Sequence, residues 1–193
     1  MVTKYINGRG TGTNQNDYLY GGYNDDTITG LDGNDTLRGD GGNDRLNGNA
    51  GNDKLYGGYN DDYLSGSQGN DTLYGESNND TLYGGALEGK DKGGYDHFYG
   101  GQGNDTFQFY TGNPKGFGSY YQGWGNSYEG NGYATIHDYS SVDTIKLTGT
   151  GGFKLSYGNY KGGYASDTLI RNNKGDLIAL VVDSSLTSKD ISF

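Results

Sequence analysis

The chain has 193 residues, with 39 Gly, one Pro and no Cys, a formal net charge of −10 and a mean hydropathy of −0.87. That length fits one domain, or one domain with a cap. The composition excludes collagen, because Pro is nearly absent and Gly keeps no three-residue period. It also excludes a disulfide scaffold and a thiolate metal site, and the acidic balance argues against nucleic acid, which needs a basic face.

Leu, Ile, Val and Phe make up about a sixth of the chain, too little apolar surface to offset chain entropy unaided. Either the chain is disordered or something outside the sequence holds it, and the sign of its charge points to cations. Met1 to Gly8 lack the apolar core of a secretory signal peptide. No apolar run approaches the ~18 residues of a transmembrane segment.

Residues 1–11 read as a lead-in. From Gly12 a nine-residue repeat runs along the chain. Asp recurs at Asp17, Asp26, Asp35, Asp44, Asp53, Asp62, Asp71 and Asp80. A large apolar residue follows two places on, from Leu19 and Ile28 to Leu73 and Leu82, and Gly precedes each Asp by five. Seven extra residues, 87–93, interrupt the register before it resumes around Asp96 with Phe98 and Asp105 with Phe107, making ten units.

Counting each unit from its first Gly, positions seven to nine read as a three-residue strand with position eight inward. Positions one to six read as a turn, with Gly or Asn at position four because these tolerate positive φ. Two units close one coil of 18 residues, so ten units predict five coils, an all-β parallel β-roll over 12–111. Stacked turns bring carboxylates together, and these repel unless a hard divalent cation lies between them. A solvated Asn-Asp turn is the competing reading of these Asp residues, and the strict spacing speaks against it. Asp25, Asp32, Asp61 and Glu76 read as solvated turn residues.

Units such as Gly39-Asp40-Gly41-Gly42-Asn43-Asp44-Arg45-Leu46-Asn47 and Gly66-Ser67-Gln68-Gly69-Asn70-Asp71-Thr72-Leu73-Tyr74 resemble the G-G-x-G-x-D-x-U-x nonapeptide of RTX (hemolysin-type) calcium-binding proteins. The resemblance implies Ca²⁺ held between each turn and the turn 18 residues on, at up to about eight sites. The ten Asp residues, Asp17 to Asp105, would be side-chain ligands. Main-chain carbonyls would join them from Gly30, Leu31, Asp32 and Gly33, from Gly39, Asp40, Gly41 and Gly42, and from Gly48, Asn49, Ala50 and Gly51. Gly57, Gly58, Tyr59 and Asn60 would contribute likewise, as would Gly66, Gln68 and Gly69. One such site would use Leu31, Gly33 and Asp35 with Gly48, Ala50 and Asp53. On the opposite edge, Asp40, Gly42 and Asp44 would meet Gly57, Tyr59 and Asp62.

Residues 112–193 resemble the β-rich C-terminal cap of such modules. Thr135-Ile136-His137-Asp138-Tyr139 and Asp143-Thr144-Ile145-Lys146-Leu147 carry the likeness, and Asp138 with Asp143 are candidates for one further Ca²⁺. The runs from Asp167 and from Asp176, joined by Asn172 to Gly175, predict a hairpin. Asp190-Ile191-Ser192-Phe193 partly matches an uncleaved type I secretion signal.

Tyr numbers 20. Position nine holds Tyr20, Tyr56, Tyr74 and Tyr99 on one face with Arg38 between, and Tyr83 on the other; Gly112 to Tyr133 adds more. These read first as outward packing over a thin roll, and alternatively as a surface for sugar rings. His97 and His137 are the two histidines, and neither H-E-x-x-H nor G-x-S-x-G is present, so the chain reads as no enzyme.

The resemblance therefore implies a secreted, extracellular or cell-surface Ca²⁺-binding module that folds on meeting the ion and leaves through the type I machinery. A polysaccharide-binding module like those of alginate epimerases and lyases is the second reading. A structural or adhesive surface protein is the third.

Overall fold

The computed structural model describes residues 1–84, 94–110, 134–139, 143–148, 153–158, 167–172, 177–181 and 191–192. The insertion at 87–93 and the Tyr-rich segment Gly112 to Tyr133 lie outside these. Every described element is a strand, and no helix among the described residues is long and apolar enough to cross a membrane.

Odd- and even-numbered strands of the repeats build two parallel sheets. One contains β1 (Thr3–Tyr5), β3 (Tyr18–Gly22), β5 (Thr36–Gly41), β7 (Lys54–Tyr59), β9 (Thr72–Ser77) and β11 (Asp96–Gln102). The other contains β2 (Arg9–Thr11), β4 (Thr27–Asp32), β6 (Arg45–Ala50), β8 (Tyr63–Gln68), β10 (Thr81–Tyr83) and β12 (Thr106–Tyr110). The register follows the repeat, with Leu37 opposite Leu55 and Leu55 opposite Leu73 in one sheet, and Leu46 opposite Leu64 in the other.

Strand side chains alternate, so Asp at position six, the apolar residue at position eight and Gly at the next position one all face inward. Leu19, Ile28, Leu37, Leu46, Leu55, Leu64, Leu73, Leu82, Phe98 and Phe107 are fully buried in one continuous core. The core is thin, with one large apolar side chain per nonapeptide.

Most repeat strands are six residues long, twice the expected three. Pairing continues past position one because positions two and three also face their equivalents, as in Asp40 with Gly58 and Gly41 with Tyr59. Position four has positive φ at Gly33, Gly42, Gly51, Asn60, Gly69, Asn78 and Gly103, as expected, though not at Asn24 or Gly94. Position two has it as well, at Leu31 (88°), Asp40 (73°), Asn49 (71°), Gly58, Ser67 (81°), Glu76 (79°) and Gly101. Each non-glycine residue there costs about 1–2 kcal/mol, and nothing in its side chain announces it.

The parallel stack extends beyond the ten repeats at both ends. β1 and β2 lie beneath β3 and β4. β13 (Ala134–Ile136) lies on β11 and β14 (Thr144–Thr148) on β12, which covers Phe98 and Phe107 with Ile136 and Ile145. β17 (Leu177–Val181) then pairs with β13, and β18 (Ile191–Ser192) with β14. The expected hairpin is present as β16 (Asp167–Asn172) antiparallel to β17, and β15 (Phe153–Gly158) is antiparallel to β16 at the sheet edge.

Candidate metal centre

The ten repeat Asp residues are at most 3% exposed, which rules out the solvated-turn reading. They form two ladders, one along each edge where the chain passes between the sheets. On the first edge, the main-chain N–H of Asp17 donates to Asp35 Oδ1 (2.7 Å), Asp35 to Asp53 (2.7 Å), Asp53 to Asp71 (2.8 Å) and Asp71 to Asp96 (3.0 Å). On the second edge, Asp26 donates to Asp44 (2.7 Å), Asp44 to Asp62 (2.7 Å), Asp62 to Asp80 (2.8 Å), Asp80 to Asp105 (2.9 Å) and Asp105 to Asp143 (2.9 Å). The steps from Asp71 and Asp80 span 25 residues instead of 18 and keep the same bond.

One carboxylate oxygen of each Asp is thus satisfied. The other is not. Oδ2 of Asp35, Asp44, Asp53, Asp62, Asp71, Asp80 and Asp105 is buried without a hydrogen-bond partner, a costly arrangement for an ionised group. Each faces the Gly at position one of its own unit. A Cβ placed on Gly21 would come 2.5 Å from Asp26 Oδ2 and 2.6 Å from the carbonyl oxygen of Gly39, one coil on. On Gly12 it would come 2.8 Å from Asp17 Oδ2 and 2.7 Å from the Gly30 carbonyl. Carboxylate and carbonyl oxygens therefore crowd the α-carbon of the position-one Gly, where a side chain has no room.

Burial, reinforced by neighbouring ladder carboxylates, pushes Asp44, Asp53 and Asp62 up to about 7, and Asp71 and Asp80 up to about 8. Asp105 rises to about 6, with Asp143 and Asp138 as its charged neighbours. Asp17 moves the other way. Burial raises it, but the Thr13 hydroxyl (2.7 Å) and N–H (2.6 Å), the Val2 N–H and the N-terminal ammonium together hold it below the ordinary value. The interior Asp residues are therefore poised for a positive partner.

Among the described residues no three His, Cys, Asp or Glu side chains form a metal cluster. An ion would be held by carboxylate pairs and main-chain oxygens. An all-oxygen set of this kind suits a hard cation.

The family model for the RTX calcium-binding nonapeptide repeat (4 copies) matches residues 11–46, 29–58, 38–73, 56–86 and 90–113. This chain belongs to the RTX calcium-binding nonapeptide-repeat family. RTX repeats bind calcium, in keeping with the buried, unpartnered carboxylate oxygens. No curated protein sequence matches the chain. Among solved structures, the crystal structure of the extracellular lipase LipA from Serratia marcescens is similar at 15% identity with a TM-score of 0.42, covering 96% of this chain and 40% of the lipase. The chain thus spans less than half of the lipase's length. The solution structure of the AlgE6R3 subunit of the Azotobacter vinelandii mannuronan C5-epimerase is similar at 22% identity with a TM-score of 0.35, covering 94% and 80%.

Asp143, read from the sequence as a candidate cap ligand with Asp138, continues the second ladder by accepting the Asp105 N–H. Asp138 accepts the N–H groups of Gly100 (2.8 Å) and Gly101 (3.0 Å) and so fastens its segment to the end of β11.

A second row, missed in the sequence, runs along position five. Asn34 N–H donates to Asn16 Oδ1, Asn52 to Asn34, Asn70 to Asn52 and Tyr95 to Asn70, each at 2.8 Å. On the other edge the acceptors are Asp25, Asn43, Asp61 and Asn79. These bonds run opposite to the Asp ladder, so at each turn the two rows add hydrogen bonds between adjacent coils in both directions, beside those of the sheets. Recurrence of Asn every 18 residues is the sequence signal that carried this. Asp25 and Asp61, read as merely solvated, belong to that row.

Proposed function

We propose that this chain is a calcium-dependent folding module of an exported protein. The observation that carries the reading is the set of seven buried, unpartnered Asp Oδ2 atoms, each packed against the Gly at position one of its own unit. The ten ladder Asp residues would hold the ions together with carbonyls of the flanking turns. Asp35 and Asp53 with Gly48 form one such set, and Asp44 and Asp62 with Gly57 another. Bound Ca²⁺ supplies the positive charge that offsets carboxylate repulsion between coils. Residues 12–111 would form the ion-binding roll and 112–193 its cap, with Asp143 carrying the ladder into the cap.

Without cations, the like-charged ladders and the strained position-two residues oppose closure, and the thin apolar core does not compensate. The chain would stay extended in a low-calcium cytosol, in a state fit for threading through a type I exporter, and close outside the cell. We read the module as non-catalytic, with its buried carboxylates acting as ligands. The packing reading of the tyrosines is favoured over sugar binding, because Tyr56, Tyr74 and Tyr99 stack face to face and occupy one another's ring faces.

Circular dichroism tests the proposal. In chelator the chain should be largely unfolded. Added Ca²⁺ should produce β structure with a midpoint of order 10⁻⁴–10⁻³ M, and Mg²⁺ should substitute poorly. A chain fully folded in chelator at neutral pH would overturn it.

A further inference from the structure

On the outer face of the ten-stranded sheet, Tyr56, Tyr74, Tyr99 and His137 form a continuous stack. Ring centroids are 4.9, 4.7 and 4.4 Å apart and successive planes differ by 5°, 15° and 5°. The stack fixes the plane of the His137 imidazole and engages its face, leaving the ring nitrogens at the edge. There His137 Nε2 lies 2.9 Å from Nδ1 of His97. The two residues are 40 apart in sequence, one on β11, the last repeat strand of its sheet, the other immediately after β13. Both are half-buried.

A hydrogen bond between one protonated and one unprotonated nitrogen accounts for this distance. Two ligands of one metal ion fit it nearly as well. Nitrogens each about 2.0–2.1 Å from a Zn²⁺ stand roughly 2.8–3.4 Å apart for right-angled to tetrahedral arrangements, and the distance seen lies within that range.

We infer that His97 and His137 form a binding site for a borderline divalent transition metal of the Zn²⁺, Ni²⁺ and Cu²⁺ class, chemically separate from the oxygen-lined ladders. Neutral imidazole selects these ions, whereas carboxylate and carbonyl oxygens select Ca²⁺. Asp138 helps to position the site, since its hold on Gly100 and Gly101 keeps the segment after β13 against β11. The two imidazoles supply two of the ion's positions. The ion binds only where β13 lies on β11, so it stabilises that docking by mass action.

The site requires the folded roll, so it is tested on the full chain saturated with Ca²⁺, with circular dichroism confirming the fold before any second ion is added. That order separates failure of this inference from failure of calcium-driven folding. Calorimetric titration with Ni²⁺ or Zn²⁺ should show one equivalent taken up, and melting should shift upward. His97→Gln and His137→Gln should each weaken uptake by roughly tenfold or more while leaving the Ca²⁺ titration unchanged. The chain has two histidines, so their ring proton resonances give a second readout on the unmodified protein, in which Ni²⁺ should broaden both together. No saturable uptake by the folded chain, uptake undiminished in both variants, or broadening of neither or only one imidazole would each overturn the inference.

Discussion

The two edges of the roll share one ladder and differ in what surrounds it. On the first edge the position-five row is neutral, built from Asn16, Asn34, Asn52 and Asn70. The register then sets Ala134 opposite Asp96, so the row of ladder Asp residues gives way there. On the second edge the outer row contains Asp25 and Asp61, and the ladder continues through Asp105 to Asp143. Asp25 is among the charges that raise Asp44, and Asp61 among those that raise Asp62 and Asp80. Added negative charge strengthens both Ca²⁺ attraction and repulsion without the ion. The second edge should therefore depend on cations more steeply. Position five tunes an edge without touching a ligand.

Replacing Asp at matched levels tests this most strongly. Asp105 stands between Asp80 and Asp143, while Asp96 stands between Asp71 and Ala134. In a stacked repeat, stability is close to a sum of unit and neighbour contributions. Asp105→Ala should raise the Ca²⁺ midpoint for folding by roughly 3–10-fold (about 0.7–1.4 kcal/mol), and Asp96→Ala by clearly less. By the same logic Asp53→Ala should exceed Asp17→Ala. Equal shifts in circular dichroism titrations would mean that the rungs act independently.

Protons should partly replace calcium. Asp44, Asp53, Asp62, Asp71, Asp80 and Asp105 sit at about 6–8 in the folded chain, against an ordinary value near 4. Their contribution to stability is fully present below that ordinary value and is lost as pH rises through 6–8. Asp17, held low, contributes in the opposite sense. In chelator the chain should show more β structure at pH 5 than at pH 8, and Ca²⁺ binding at pH 7 should release protons into a weakly buffered solution. A chelated chain equally unfolded at both values would contradict the burial of these groups.

The smallest effect expected is that of Asp61→Asn. The Asn oxygen can still accept the Asn79 N–H that Asp61 accepts at 2.9 Å, so only charge is lost. The Ca²⁺ midpoint should rise about twofold at low salt and less at high salt. An unchanged midpoint at low salt would mean that solvent screens position five from the ladder.

Much of this architecture is legible in the sequence, for a physical reason. Inward positions in a coil one side chain thick tolerate few residue types, so Asp, Leu and Gly recur without drift from Asp17 to Asp80. Position two is the counter-example. Its left-handed backbone is imposed by the pairing of Leu31 with Asn49 and Asp40 with Gly58, and residues as unlike as Leu31, Ser67 and Glu76 occupy it. Asp143 was hidden by distance, standing 38 residues beyond Asp105 instead of 18. The first coil was hidden because Val2 and Gly8 stand where Asp is expected. They give only N–H groups, to Asp17 and Asp26.

The bond from Asp71 to Asp96 has the form of its neighbours although seven extra residues intervene, and that from Asp105 to Asp143 absorbs twenty more than the usual step. The stack counts levels in space, not residues along the chain. Loop-closure entropy grows only logarithmically with length, so a connection between levels can lengthen at small thermodynamic cost once its two ends are seated. The link after Tyr83 is accordingly a splice point. Guest peptides could be displayed there on a scaffold whose assembly, under the proposed function, would start on adding a calcium salt and reverse on removing it.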